Sequence, residues 1–303
     1  MLGLPQSSRA TAMGFVAILM WSALALLTAS TGSTPPFLLT ALTFAVGGCL
    51  GLAVTATRSG GLAALRQPWP VWLHGLGGLF GYHLLYFSAL KLAPPAEAGS
   101  ICYLWPLLIV LFSAALPGGG LSPRHLLGAT LGLVGTALII MGRSGGLSFE
   151  WAYAPGYVAA LAAAAVWAAY SVGARWFQSV PTEAVTGFCL VTAALAALCH
   201  IAFEPSVWPE SWGEWAAIIA LGAGPVGAAF FAWDVGMKRG DVRLLGVAAY
   251  ACPMLSVLLL VAAGYAQANA ALIGGCALIV VGALIATLKR GAVAASLPSS
   301  RGG

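Results

Sequence analysis

The sequence predicts an all-α integral membrane protein with ten transmembrane helices, arranged as two inverted five-helix repeats around a central cavity. Three observations predict it. Sixty per cent of the 303 residues are hydrophobic and 7% are charged, with a mean hydropathy of +0.95, whereas a soluble domain carries roughly 25% charged residues. Apolar stretches of about 20 residues, the length that spans a hydrocarbon core, follow one another along the whole chain. Specific residues of the first half also recur in the second at a constant offset.

The spans are expected at 10–32, 35–57, 69–91, 94–116, 123–142, 151–177, 182–203, 212–238, 241–265 and 269–290. Arg9 precedes the first in the manner of a signal peptide, but the apolar run is about twice the length of a signal core and has a counterpart in the second half. Turn chemistry separates the spans: "TGSTPP", "LAPP", "PGGGLSPR", "RSGGLS" and "EPSVWPES". Pro36, Pro94, Pro95 and Pro123 open spans, where the first helical turn needs no amide donor. Pro106 and Pro253 stand inside the fourth and ninth spans. Each removes a backbone hydrogen bond and kinks its helix, freeing a carbonyl toward a cavity. Glycine steps at Gly47 to Gly51, Gly77 to Gly81 and Gly128 to Gly132 allow close helix approach. The six cysteines (Cys49, Cys102, Cys189, Cys199, Cys252, Cys276) fall inside spans without a CxxC pair, so they read as small apolar residues.

Basic residues set the orientation. With the N-terminus inside, Arg9, Arg58, Arg66, Arg124, Arg175, Lys238, Arg239, Arg243, Lys289, Arg290 and Arg301 are cytoplasmic, and only Lys91 and Arg143 lie outside. This positive-inside bias puts both termini in the cytoplasm and accounts for the net charge of +5. No basic cluster suggests nucleic acid.

Shifting the chain by 147 positions superposes Gly75 on Gly222, Gly77 on Gly224, Lys91 on Lys238, Gly99 on Gly246, Tyr103 on Tyr250, Pro106 on Pro253, Gly128 on Gly275 and Gly135 on Gly282. One position less superposes Trp21 on Trp167 and Pro35 on Pro181. The chain thus divides into a first repeat (1–146), a second repeat (147–291) and a short polar cytoplasmic tail (292–303). Five spans per repeat force the second copy to enter the membrane from the opposite face. Inverted repeats of this kind are a transporter architecture that holds substrate near the midplane.

Polar residues are sorted by depth. The third span centres near Phe80, which puts His83 within a turn of the midplane beside Tyr82 and Tyr86, and those two tyrosines share a helix face. The fourth centres near Trp105, beside Tyr103 and Pro106. These rings lie too deep for an interfacial belt, so each needs a partner or a wet cavity. His83 is either a packing residue bonded to a neighbouring carbonyl or a cavity residue, and the clustering of rings at one depth favours the cavity. Trp21, Trp167 and Tyr170 stand open between the two readings, and Tyr250 follows its repeat partner Tyr103. Glu97 sits one turn into its helix, about 12 Å from the midplane at 1.5 Å per residue, within reach of Lys91. Asp234 precedes Lys238 by four residues, which favours a helical ion pair. Both pairs read as structural, with a place at the rim that would also suit gating. No carboxylate lies mid-span, so facilitative or weakly coupled transport is expected.

The helix pattern, with "LMWSALAL" echoed by "AVWAAYSVGA", resembles the drug/metabolite transporter superfamily of EamA-type, ten-helix proteins. Within it, "GYHLLYFSALKLAPPAEAGSICYLWPL" is similar to the aromatic amino acid exporter family of the YddG type. The resemblance covers nearly the whole spanning region. It departs from the small multidrug exporters, which carry a glutamate in the first helix. It implies export of aromatic and other neutral amino acids across the bacterial inner membrane, through a cavity lined by Tyr82, His83, Tyr103, Trp105, Trp167 and Tyr250, with Tyr86 alongside. A drug or metabolite exporter of another solute class is the alternative, and a membrane-embedded enzyme the lesser one, since no HExxH or Walker loop is present. No cofactor or metal is implied. The expected partners are a small-molecule substrate and the lipid bilayer, and the expected functional unit is the monomer.

Overall fold

The computed structural model describes residues 5–117, 120–144, 146, 149–264 and 267–288. Lys289, Arg290, Arg301 and the 292–303 tail lie outside the described residues, as does the side chain of Arg143. Ten helices follow in order: α1 (Gln6–Ala29), α2 (Pro36–Ala56), α3 (69–92), α4 (Pro95–Ala115), α5 (Pro123–Gly142), α6 (Trp151–Phe177), α7 (Ala184–Phe203), α8 (Trp212–Arg239), α9 (Val242–Ala262) and α10 (Ala270–Thr287). Among the described residues nine of these, all but α3, are both long and apolar enough to cross a membrane. At 1.5 Å per residue α3 is about 36 Å long, enough to span. Its lower apolarity comes from His74, Tyr82, His83, Tyr86 and Lys91. Exposed side chains such as Leu19, Val158, Ile201 and Ile273 face outward around the bundle, an apolar girdle that only a bilayer can solvate.

Among the helix pairs that pack are α1 with α8 and α3 with α6; α1 with α9 and α6 with α4; α2 with α8 and α7 with α3; α4 with α5 and α9 with α10; and α2 with α7, α4 with α9 and α5 with α10. Exchanging each helix for the one five places along maps these pairs onto one another, so a pseudo-two-fold relates the halves. Five is odd, so the exchanged halves run in opposite directions through the membrane and the axis lies in the membrane plane. The α5–α10 contact shows the reciprocity atom by atom. A Cβ on Gly128 would lie 2.6 Å from the Gly282 carbonyl, and one on Gly282 would lie 2.6 Å from that of Gly128; Gly135 and Gly275 repeat the pattern. Any larger residue there would push two backbones apart.

Two irregularities also repeat. A π-turn interrupts α3 at Gly77–Gly81 and α8 at Gly224–Ala228, in both cases 147 positions apart. The Gly77 to Gly81 step therefore forms a turn rather than a packing face. Helix α4 breaks at Tyr103 and Leu104, and α9 at Ala249 and Tyr250. The cause is proline two or three residues later. Pro106 and Pro253 have no N–H to close the α-turn back to Cys102 and Ala249, and the amides just before step to i−3 carbonyls, Leu104 to Ile101 and Tyr250 to Val247.

Candidate functional site

The pseudo-two-fold brings Trp21 of α1 and its counterpart Trp167 of α6 together, ring centroids 5.7 Å apart. Trp105 from the second half of α4 stands edge-on to both, at 6.4 and 6.3 Å, and Trp233 of α8 packs behind at 5.0 Å from Trp21. Edge-to-face geometry of this kind is the favoured aromatic arrangement. Above these rings lies a cavity of about 570 Å³. Its walls carry Tyr82, His83 and Tyr86 from α3, Tyr103 from the α4 break, Phe44 from α2 and Phe230 from α8. Phe44 and Phe230 stack at 5.5 Å, and His83 meets Phe44 edge-on at 5.1 Å.

The polar edges divide into satisfied and available groups. Trp21 Nε1–H donates to the Pro225 carbonyl at 2.9 Å, inside the α8 π-turn, and Trp233 Nε1–H donates to Ser171 Oγ at 3.0 Å. The Tyr82 hydroxyl lies 3.8 Å from Cys102 Sγ. His83 Nδ1 is 2.7 Å from the Leu79 carbonyl; a carbonyl only accepts, so Nδ1 carries the proton and the neutral ring turns a bare Nε2 acceptor elsewhere. Both readings of His83 thus hold at once, because it bonds a neighbouring carbonyl and also lines the cavity. Among the described residues the indole N–H of Trp105, that of Trp167, and the hydroxyls of Tyr86 and Tyr103 have no protein hydrogen-bond partner, yet none of them is a fully enclosed atom. No charged side chain lines the cavity among the described residues.

Among the described residues the cavity lining reaches the surface at one end of the bundle. It includes the exposed Gly32 and Pro36 of the α1–α2 turn, at the end of the bundle opposite residue 5 and residue 288. The other end is closed by polar contacts, the Asp234–Lys238 pair among them buried. Lys238 Nζ is 2.9 Å from Asp234 Oδ2 and donates to the Val180 carbonyl at 2.9 Å. Thr182 Oγ1 donates to the same carboxylate at 2.6 Å. The Asp241 amide donates to Thr11 Oγ1 at 2.9 Å, and Arg175 donates to the Gly240 carbonyl. Together these tie the start of α1 and the α6–α7 turn to the end of α8.

Two expectations are corrected. Tyr250 does not reach the cavity. It is fully buried with Val110, Ala129 and Ile139, its ring filling the space that Gly132 leaves on α5, where a Cβ would come within 2.3 Å. Tyr103 and Tyr250 occupy equivalent helix breaks that present opposite faces. Lys91 does not pair with Glu97: it is exposed, with Nζ 5.8 Å from the centre of the Phe37 ring, while the buried Glu97 accepts from the Tyr157 hydroxyl. Pro106 lies behind the site, at the start of the half-helix that carries Trp105.

Sequence reasoning missed Phe44, Phe230 and Trp233 as members of the site. The offset of 147 could have found two of them, since Phe230 is the counterpart of His83 and Trp233 that of Tyr86. It also missed a buried anchor at the open end. Glu204 accepts from the Phe37 and Leu38 amides at 3.0–3.2 Å, the natural place for a carboxylate at a helix start, and His200 holds it at 3.1 Å. Residues 142–146 match the G-x-S-x-G pattern of nucleophile elbows, which requires a strand-to-helix turn. Here the serine ends the helical turn that runs on from α5 to Ser144, its hydroxyl bonded to the Ile140 and Gly146 carbonyls. Among the described residues no three His, Cys, Asp or Glu side chains converge as a metal site.

A family model described as the EamA-like transporter family matches residues 8–141 and again residues 154–288. A protein of Ancylobacter novellus named aromatic amino acid exporter YddG is 65% identical over 281 residues, covering 93% of this chain and 98% of that one. Proteins of the same name in Escherichia coli and Salmonella typhimurium are 29% and 28% identical, each over 82% of this chain and 86% and 87% of their own. A solved crystal structure superposes with a TM-score of 0.90 at 64% identity, covering 93% of this chain and 97% of that chain.

Proposed function

The chain belongs to the EamA-like transporter family, and on that premise we propose that it exports neutral amino acids, aromatic ones included, across the bacterial inner membrane by alternating access. The cavity is the observation that carries this reading. Its volume of about 570 Å³ suits a small molecule, for which sites run roughly 300–1,000 Å³. It has an aromatic floor, no charged lining among the described residues, and separate donors and acceptors with nothing to bond. A zwitterion with an apolar side chain needs those features. The indole N–H groups of Trp105 and Trp167 and the hydroxyls of Tyr86 and Tyr103 donate to its carboxylate. Nε2 of His83 accepts from its ammonium. Phe44, Phe230 and Tyr82 offer ring faces to its side chain. The names of the relatives supply the direction of transport and the aromatic preference.

The eleven-to-two distribution of basic residues supports cytoplasmic termini, and with them a cavity open to the outside and sealed toward the cytoplasm. The division into repeats at 1–146 and 147–291 is supported by the two matches of the family model. We take the monomer as the transporting unit and the process as facilitative or weakly coupled, because no carboxylate lines the cavity among the described residues. An exporter of another solute class is the second reading, favoured by the apolar lining. A phosphorylated solute is disfavoured by the lack of lysine and arginine there among the described residues, and the family is one of transporters rather than enzymes. Counterflow in proteoliposomes loaded with unlabelled phenylalanine tests the reading. Labelled tryptophan, phenylalanine and other neutral amino acids should accumulate chemically unchanged. If no amino acid exchanges in folded protein, the reading fails.

A further inference from the structure

Lys91 and Lys238 stand 147 positions apart, each in the last turn of a helix that a π-turn interrupts. Their surroundings differ. Lys238 is 4% exposed at the sealed end, its ammonium 2.9 Å from both the Asp234 carboxylate and the Val180 carbonyl. Lys91 is exposed at the open end, reaching over the Phe37 ring. Val180 precedes Pro181, and the repeat counterpart of Pro181 is Pro35, so Thr34 is the counterpart of Val180 in the first repeat. Among the described residues no N–H or O–H of the protein bonds the Thr34 carbonyl, and Thr34 lies on the cavity wall near its mouth.

Two inverted halves reach the opposite-facing state by exchanging conformations. We propose that Lys91 is the latch of the outer gate: when the mouth closes, its ammonium bonds the Thr34 carbonyl as Lys238 now bonds that of Val180, while the Lys238 latch opens. The proposal rests on the alternating-access reading above and adds the residue that closes the second gate. The latches are unequal. The counterpart of Asp234 is Phe87, so Lys91 closes with no carboxylate on its own helix face. Its charge is then eased by the Thr34 carbonyl and by the faces of Phe37 and Phe87. A lysine desolvated without an acid partner is costly, whereas Lys238 keeps one. The mouth-open state is therefore the resting state, and substrate binding must supply what the outer latch lacks.

The test reads mouth opening without substrate. A cysteine at Ala25, on the cavity wall below the mouth, is labelled by a membrane-impermeant maleimide in the otherwise native protein, with the parent's labelling subtracted. Asp234→Asn together with Lys238→Met removes the inner latch and leaves no lone buried charge, and labelling should fall at least five-fold as the outer latch takes over. Adding Lys91→Met should restore it, and adding Lys91→Arg should not. Should the double variant fail to purify folded, Thr182→Ala, which only loosens the inner latch, should give about a two-fold fall with the same dependence on Lys91. Labelling that ignores the inner latch, or that stays low after Lys91→Met, overturns the proposal. Counterflow by the parent protein is measured separately. Absent counterflow with latch-dependent labelling would remove the amino acid reading and leave the gate, and the reverse result would remove the gate alone.

Discussion

Replacing His83 with phenylalanine isolates one hydrogen-bond acceptor. The ring packs edge-on against Phe44 at 5.1 Å, and the equivalent place in the other half is held by Phe230, so a phenylalanine ring refills the space. Two polar contacts go. Loss of the Nδ1–H bond to the Leu79 carbonyl costs about 0.5–1.5 kcal/mol of stability, as for an ordinary hydrogen bond. Loss of Nε2 removes an acceptor for a charged ammonium, worth about 1.5–3 kcal/mol, which is roughly 10- to 150-fold in binding at 1.4 kcal/mol per factor of ten. The assay compares phenylalanine with 3-phenylpropionic acid, its analogue without the amino group, for binding to purified His83→Phe and parent protein. Affinity for phenylalanine should drop by that factor, and affinity for the analogue should hardly change. Equal losses for both would make His83 a shaping residue, and no loss for phenylalanine in a folded variant would refute the assignment.

Trp105→Ala removes a floor ring and an unpartnered donor, so flux of aromatic substrates should drop at least ten-fold while the variant still elutes as folded protein. Normal flux would return Trp105 to packing. Gly132→Ala drives a Cβ to 2.3 Å from the Tyr250 ring and should lower stability by about 1–3 kcal/mol as overpacking does; Gly274→Ala, with nothing within 4 Å, should be neutral or gain up to about 1 kcal/mol of helix propensity. Thermal unfolding in detergent compares the pair, and equal midpoints would contradict the packing described. A cysteine at Leu121, in the α4–α5 turn, should resist impermeant reagents applied from outside and react in inverted vesicles, and the opposite pattern would reverse the topology. Counterflow should persist with equal pH on both sides and an uncoupler present, because no carboxylate faces the cavity among the described residues; its abolition would demand a proton site.

Depth along a helix was legible in the sequence, but rotation about the helix axis was not. Counting from span centres put Tyr82, His83, Tyr103 and Trp105 at one height, and that height is where the cavity lies. The spans are apolar nearly all round, so no polar stripe declared which way each ring would point. Tyr250 shows the result: it has the right depth and the right repeat partner, and it faces α5. Lys91 and Glu97 were close in sequence, but each found a better neighbour, a ring face for the lysine and the Tyr157 hydroxyl for the glutamate. Such choices depend on helices far away in the chain. The clearest unused signal was His200 four residues before Glu204, whose spacing alone predicts a shared helix face.

The paired π-turns have a consequence for which changes of length the chain can accept. Each fits one residue more into its helix than regular winding would, and the flanking segments run on without a break. Deleting a single glycine from Gly77–Gly81 would let α3 heal into regular helix, still long enough to span. The segments on either side would keep their facing, because the extra residue is wound into the π-turn and not into its flanks. A one-residue deletion in the regular part of α3, between Tyr82 and Leu92, has no such slack and would turn all that follows it by about 100°, the rotation carried by one residue at 3.6 per turn. The same contrast separates Gly224–Ala228 from the stretch of α8 that carries Phe230, Trp233, Asp234 and Lys238. At these two places, then, the chain can give up one residue and keep its rings and charges aimed, and anywhere else in the two helices it cannot.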